Sequence, residues 1–334
     1  MPSVENYTAK AEDWPLARPF RISRGTKSVA TVITVTLTIN GVSGRGEGCP
    51  YPRYGETVDS ALATLRGIDW DAFTTRDLAA MRHALLDHLP PGSARNALDC
   101  ALWDLAAKTA QRPVWQLAGL AAPRPTMTCY TLSLDTPEAM AADARAHDDC
   151  PLLKLKLGDT AGDADRMRAV RAARPDARLV ADANEGWTPD DLTPLIAAAS
   201  AHRLELIEQP LPDGDDAALA GLAPAVPLCA DESAAPGTAV AALSPRYQAV
   251  NIKLDKVGGL TAALETVAAA RRHGLKIMIG SMVSTSLSMA PAALLAGQAD
   301  WIDLDSPLLL ARDRPDAMSI TDGRLAPPDQ ALWG

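Results

Sequence analysis

Seven short apolar segments recur roughly every 25 residues between Leu152 and Asp305, and each closes on residues able to bind a metal or move a proton. In order, the closing residues are Lys154 and Lys156, Asp182 and Asn184, Glu208, Asp231 and Glu232, Lys253, Gly280 and Ser281, and Asp303 and Asp305. An eighth segment, TMTCYTLSL, begins at Thr126. Between them lie Ala-rich stretches such as ADRMRAVRAARP and TAALETVAAARRHG, which read as helices. Strand and helix in alternation place parallel strands side by side through helical crossovers. Eight such units favour a closed (β/α)8 barrel over an open doubly wound sheet, although periodicity alone fits both. The barrel is assigned to residues 121–305.

The chain before the barrel has a different texture. Residues 29–39 (VATVITVTLTI) are rich in Val, Thr and Ile, and Asn40-Gly41 offers a tight turn into the short strand VSGRGEG, so a hairpin is expected to open the chain. Helices are expected over roughly 57–70, 75–89 and 93–118. In the last, Ser93 is placed to cap the first turn, and Ala97, Cys100, Ala101, Trp103, Leu105 and Ala107 supply a nearly continuous apolar stripe. Residues 1–120 therefore form an α+β capping domain. Residues 306–334, with Pro307, Pro315, Pro327 and Pro328, read as a return segment that packs on it.

Bulk properties narrow the partners. A chain of 334 residues that is 47% apolar can bury a large core. Its net charge of −9, without a Lys/Arg cluster, argues against nucleic acid or an anionic membrane and for a small-molecule partner. Cys49, Cys100, Cys129, Cys150 and Cys229 have no metal-ligand or paired spacing and suit reduced thiols in a core. The first residues, MPSVENYTAKAEDWP, hold no basic stretch followed by an apolar run, and no later stretch approaches a membrane span. The expectation is a cytoplasmic protein.

Side chains two apart in a strand share a face, so Lys154 pairs with Lys156, Asp182 with Asn184, and Asp303 with Asp305. Barrel strands deliver their C-terminal residues to one rim. Asp182, Glu208 and Asp231 gathered there repel one another unless a cation holds them, and an all-oxygen set suits Mg2+ better than zinc. A lone strand-end acid is as well explained as a loop residue; three in consecutive units are not. Lys156 and Lys253 sit in apolar strand ends, where an inward ammonium must be paired or desolvated. Lys154 serves as an electrostatic companion of Lys156, a neighbouring cation favouring the neutral base. The second and sixth strands face each other across an eight-strand ring. A chelated substrate would then have one lysine on each face, an arrangement suited to moving a proton α to a carboxylate through an enediolate.

The set KLK (154–156), DANEGW (182–187), EQP (208–210), ADES (230–233), NIKLDKVGG (251–259), IGSM (279–282) and DLDSPLLL (303–310) resembles the muconate-lactonising subgroup of the enolase superfamily. The likeness also takes in the N-terminal hairpin and ARNALDCALWDLAA (94–107). It implies that Asp182, Glu208 and Asp231 ligate Mg2+, that Lys156 and Lys253 are the acid/base catalysts, and that Lys154 supports them. Asn184 and Glu232 look like partners that orient these groups, and Lys256 is either such a partner or a surface residue.

Within the subgroup, Asp303 and Asp305 look like the acid pair with which dipeptide epimerases hold a substrate ammonium; otherwise they are turn residues before Pro307. FRISRG (20–25) resembles a loop that offers an arginine to a glutamate side chain, with Arg24 the candidate and Arg21 the alternative. CPYPRYGE (49–56) resembles a second substrate-facing loop, in which Tyr54 is the candidate contact and Tyr51 and Tyr54 could equally be packing residues. Ser281, from IGSM, completes the substrate-binding set. The implied activity is a Mg2+-dependent interconversion of L-Ala-D-Glu and L-Ala-L-Glu in murein peptide recycling, by a homo-oligomer. Rival readings are an epimerase of other dipeptides, an N-succinylamino acid racemase or cycloisomerase, and a metal-dependent binding protein that has lost turnover.

Overall fold

A computed structural model describes residues 4–22, 25–72 and 77–334. Three antiparallel strands, β1 (Val4–Ile22), β2 (Gly25–Ile39) and β3 (Val42–Gly48), lie in that order in one sheet. Asn40 and Gly41, at φ 52° and 72°, make the two-residue turn between β2 and β3. The hairpin does not open the chain, because β1 precedes it and pairs with β2 from Ile39 back to Gly25. Only Leu16 of β1 is buried, and Pro15 and Pro19 accompany a register shift. An edge strand so exposed need not alternate apolar with polar residues, so its pattern is faint.

Four helices follow: α1 (Val58–Arg66), α2 (Leu78–His88), α3 (Ser93–Ala110) and α4 (Val114–Leu117). Thr57 and Ser60 cap α1 reciprocally. Gln111, at φ 50°, and Pro113 end α3 well short of residue 118. Ser93 is the first helical residue and not the cap, a position held by Gly92. A Cβ on Gly92 would stand 2.4 Å from the Glu56 carboxylate, which accepts the Ser93 N–H at 2.9 Å and so caps the helix from another segment. Every residue of α3 from Ser93 to Ala107 is buried. On β3, Gly44, Gly46 and Gly48 face it: a Cβ on any of them would lie 2.1–2.2 Å from a carbonyl oxygen of α3, so the helix rests directly on the strand backbone.

The segment from Thr126 divides into two elements. β4 (Thr126–Met127) joins a small sheet with β13 (Ile320–Thr321) and β14 (Arg324–Leu325), while β5 (Tyr130–Leu132) begins the barrel. The parallel strands continue as β6 (Leu152–Lys156), β7 (Arg178–Asp182), β8 (Leu204–Glu208), β9 (Leu228–Ala230), β10 (Ala249–Lys253), β11 (Lys276–Gly280) and β12 (Trp301–Asp303). The ring closes where Cys129 N–H donates to the Ile302 carbonyl at 2.8 Å and Leu304 N–H to Thr128 Oγ1 at 2.9 Å. Crossovers carry α5 (Pro137–Ala146), α6 (Thr160–Ala173), α7 (Pro189–Ala201), α8 (Leu254–Val257), α9 (Leu260–Arg272) and α10 (Ser286–Ala293). Those around β9 hold single 3-10 turns, Asp216–Leu219 and Val240–Ala242, because Pro210, Pro212, Pro224, Pro227, Pro236 and Pro245 interrupt any longer helix.

Strand alternation sorts the side chains. On β6, Leu153 and Leu155 pack outward in the main core, whereas Leu152 fills the barrel floor with Cys129, Val180, Leu206, Cys229, Ala249, Met278 and Trp301. Lys154 and Lys156 share the face of Leu152 and rise above that floor. Register levels the strand ends, with Lys156 opposite Asp182, Asp182 opposite Glu208, Lys253 opposite Gly280, and Gly280 opposite Asp303.

After β12 the chain forms α11 (Ser306–Leu309) and runs back across the N-terminal elements. Arg314 meets Glu12 and Glu47 at 2.7 and 2.6 Å, Arg45 donates to the Leu332 carbonyl at 2.7 Å, and Gly334 N–H donates to Asp104 at 2.8 Å. All five cysteines are buried. Among the described residues, no helix is long and apolar enough to cross a membrane.

Candidate active site and metal centre

The barrel mouth opens into a cavity of about 570 Å³. Its wall includes Lys154, Lys156, Asn184, Asp231, Glu232, Lys253, Ser281, Asp303 and Asp305 from the barrel, and Tyr54 from the loop after β3. Asp182 and Glu208 lie just beneath, fully buried. Arg24 falls outside the described residues. Arg21 is not part of the wall; its carbonyl accepts the Leu134 N–H at 3.2 Å.

Asp182, Glu208 and Asp231 each present a carboxylate oxygen within 4.8 Å of the other two. Ligand oxygens around Mg2+ sit about 2.0–2.1 Å from the ion and hence roughly 3–4 Å from each other, so Asp182, Glu208 and Asp231 are close enough to hold one such ion together after small side-chain adjustments. The charges around it also fit a cation. Burial pushes Glu208 up to about 7, with the charge of Asp182 adding to it. Burial opposes ionisation of Asp182 too, but the ammonium groups of Lys156 and Lys154 hold it at about 2. Asp231 is driven far below the ordinary carboxylate range, burial being outweighed by Lys253 and Lys256. A hard divalent ion suits three buried oxygens with no sulfur or imidazole among them.

Four lysines ring these acids. Lys156 donates to Asp182 at 2.5 Å and lies 5.9 Å above the Phe20 ring. Lys253 donates to Asp231 at 2.7 Å, and the pull of Asp231 and Glu208 overcomes burial to keep it protonated. Lys154 sits 2.5 Å from Glu208, 2.6 Å from Asp303 and 3.3 Å from Asp182, so its ammonium faces carboxylates on three strands. Lys256 is buried and donates to the Asp231 side chain at 2.7 Å and its carbonyl at 2.6 Å. It is not a surface residue.

Asp303 and Asp305 both border the cavity. Asp305 accepts the Thr131 N–H at 2.7 Å, and burial together with the charge of Asp303 pushes its carboxyl up to about 6. Asn184 adopts φ 45° and donates its N–H to Asp182 at 2.9 Å. Tyr51 and Tyr54 do two things at once, bordering the cavity and packing with Val32, Cys49 and Met282. Burial raises the Tyr54 phenol.

Sequence reasoning passed over two side chains at this site. Asn251 donates to Glu208 at 2.6 Å from the face that also carries Lys253, a position two residues earlier that alternation could have flagged. Gln209 is wholly buried behind Glu208 and bonds to the segment after β9, for which local pattern offers no sign. At the rim, Arg53 makes a two-pronged bond to Glu185 at 2.6 and 3.1 Å, tying the loop after β3 to the one after β7.

Residues 5–119 match the family described as mandelate racemase / muconate lactonizing enzyme, N-terminal domain, and residues 138–331 match enolase C-terminal domain-like proteins. The chain is 42% identical over 316 residues to an L-Ala-D/L-Glu epimerase of Escherichia coli K12, covering 94% of this chain and 97% of that one. It is also 42% identical over 304 residues to an N-acetyl-D-glutamate racemase of Pseudoalteromonas, covering 91% and 95%. A crystal structure of an enolase family member from Agrobacterium tumefaciens with homology to dipeptide epimerases, holding sodium and L-Ala-L-Glu, superposes with a TM-score of 0.93 at 44% identity, covering 98% of this chain and 99% of that one.

Proposed function

The chain belongs to the mandelate racemase/muconate lactonizing enzyme family of enolase-like proteins, and on that premise we propose that it is a Mg2+-dependent epimerase interconverting L-Ala-D-Glu and L-Ala-L-Glu by inversion at the glutamate α-carbon. One observation carries the reading: Lys156 and Lys253 stand at the ends of the second and sixth strands of the ring, with Asp182 and Glu208 ending two of the strands between and Asp231 directly following the third. Held by those three acids, Mg2+ would supply positive charge against the substrate carboxylate and so lower the cost of the enediolate. The lysines supply the proton transfers. The carboxylates that pair with Lys156 and Lys253 here would be turned to the metal when it is bound, which frees one lysine to lose its proton; that neutral lysine takes the α-proton from one face, and the other, protonated, returns one to the opposite face. In the reverse direction the roles exchange.

The other groups bind. Asp303 and Asp305 receive the α-ammonium of the dipeptide, Arg24 is the candidate for the side-chain carboxylate, since its alternative Arg21 lies outside the cavity wall, and Tyr54 and Ser281 bound the substrate on its flanks. Asn184 and Glu232 orient the reacting groups. The domain division follows the same reading, with residues 1–120 as the cap, 121–305 as the catalytic barrel and 306–334 as the return segment. The enzyme works in the cytoplasm on murein-derived dipeptides, as a homo-oligomer.

Racemisation of N-acetylglutamate is the second reading, since it inverts the same carbon of an N-acylated glutamate. Two carboxylates at the β12 end favour the dipeptide, because an acetyl group would leave them without the ammonium. Proton NMR of L-Ala-L-Glu with enzyme and Mg2+ in D2O tests the proposal. The glutamate α-proton signal should disappear as L-Ala-D-Glu forms, and EDTA should stop both. Exchange with N-acetylglutamate and none with the dipeptide would overturn it in favour of the second reading.

A further inference from the structure

We propose that Gln209 is a positioning residue that sets the metal-binding carboxylates and aims Glu232, acting through the backbone that follows β9. The inference rests on the reading of Asp182, Glu208 and Asp231 as the metal-binding set. Gln209 follows Glu208 directly and is wholly buried. Its side-chain oxygen accepts the Asp231 N–H at 2.9 Å and the Ser233 N–H at 3.1 Å. These two N–H groups bracket Glu232, so one oxygen fixes the turn that carries both a ligand and a cavity-facing acid.

The amide can face only one way. Its Nε2 lies 2.7 Å from the Leu211 carbonyl, 2.8 Å from Ser233 Oγ and 3.0 Å from the Tyr247 hydroxyl, and its two hydrogens serve these three acceptors, one of them shared between the two hydroxyls. Ser233 and Tyr247 spend their own protons on Asp216, at 2.7 Å each, and therefore accept from Gln209. A flipped amide would oppose the Leu211 carbonyl with its oxygen and the two backbone N–H groups with its nitrogen.

The main chain of Gln209 completes the brace. It adopts φ 35°, in the left-handed region where a residue with a β-carbon is held by its surroundings. Its N–H donates to the Cys229 carbonyl at 2.8 Å, and its carbonyl accepts the Glu185 N–H at 2.9 Å, next to Asn184. A single residue thus joins the ends of β7, β8 and β9, the three strands that bring Asp182, Glu208 and Asp231 together.

Mn2+ binding by the full-length protein, followed by water-proton relaxation, tests the proposal without turnover. Gln209→Met should weaken Mn2+ binding by about 10- to 100-fold, the usual loss when a partner behind a metal ligand is removed. Tyr247→Phe breaks the same buried network on the amide-nitrogen side and should leave Mn2+ affinity as in the unaltered protein, whatever it does to the thermal midpoint. If Gln209→Met does not fold, Gln209→Asn decides in the same way, since it keeps the amide but draws the oxygen away from Asp231. Unchanged Mn2+ affinity in a folded Gln209 variant, or an equal loss in Tyr247→Phe, would overturn the positioning role. An unaltered protein that binds no Mn2+ would instead overturn the metal assignment, and one that binds Mn2+ yet leaves L-Ala-L-Glu unchanged would overturn the substrate alone.

Discussion

Lys154 donates to Asp303 at 2.6 Å, linking β6 to β12 across the intervening β5. The same ammonium lies 2.5 Å from Glu208. One cation is therefore shared between the carboxylates proposed to hold the metal and the acid pair proposed to hold the substrate ammonium. Of that pair, Asp305 borders the cavity without a lysine on it and accepts the Thr131 N–H at 2.7 Å.

A pH dependence confined to substrates with a free amine follows. Burial and the charge of Asp303 raise the Asp305 carboxyl to about 6, so it is ionised above that pH and neutral below. The kcat/KM for L-Ala-L-Glu should fall as pH drops through about 6, and Asp305→Asn should lower it about tenfold or more at pH 8 and remove that limb, roughly 1.4 kcal/mol of binding. An identical limb with N-acetylglutamate, or its persistence in the Asn variant, would show that Asp305 does not read the ammonium.

Lys156→Ala and Lys253→Ala should each abolish epimerisation while leaving solvent-deuterium exchange with one epimer, because each variant retains a base on one face only. Mass spectrometry of the recovered dipeptides reads the outcome. Exchange with both epimers in either variant would remove the two-base assignment.

Arg314 is the cation beside Glu47, which burial keeps above its ordinary pKa, and beside Glu12. Arg314→Met should cost about 3–5 kcal/mol in urea unfolding at pH 7, since it leaves an acid buried without its partner. Glu12 adds an acid limb: burial works against its charge, but Lys10 and Arg314 bring it from 4.5 down to about 2. Its contribution is complete above the higher value and is lost as pH falls toward the lower, and the variant should shrink that loss. A cost below about 1 kcal/mol would mean that the cluster relaxes around the gap.

Gly46→Ala should destabilise by about 3 kcal/mol or more, because its Cβ would fall 2.1 Å from the Ala97 carbonyl and 2.6 Å from the Ala101 nitrogen, both backbone. Gly41→Asn is the contrast. A Cβ at Gly41 would meet nothing within 4 Å, and asparagine tolerates its φ of 72°, so the cost should stay within about 1 kcal/mol. Equal losses for the two would locate the effect in glycine flexibility and not in the helix contact.

Periodicity made the barrel legible in the sequence, and alternation placed Lys154 and Lys156 on one face, because both signals are carried within single elements. β1 left no such mark, since an edge strand with one buried residue does not have to alternate. The Glu56 cap on α3, the partners of Lys154 and the clasp of Gln209 on Asp231 were also beyond it. Each joins residues from separate segments, and which atoms meet depends on register and on closure of the ring. The sequence by itself determined the alternating strands and which of their side chains turn inward, a consequence of backbone geometry repeated locally. Only the tertiary structure decided which of those buried charges share a partner, because Coulomb and hydrogen-bond energies depend on distances that no local pattern encodes.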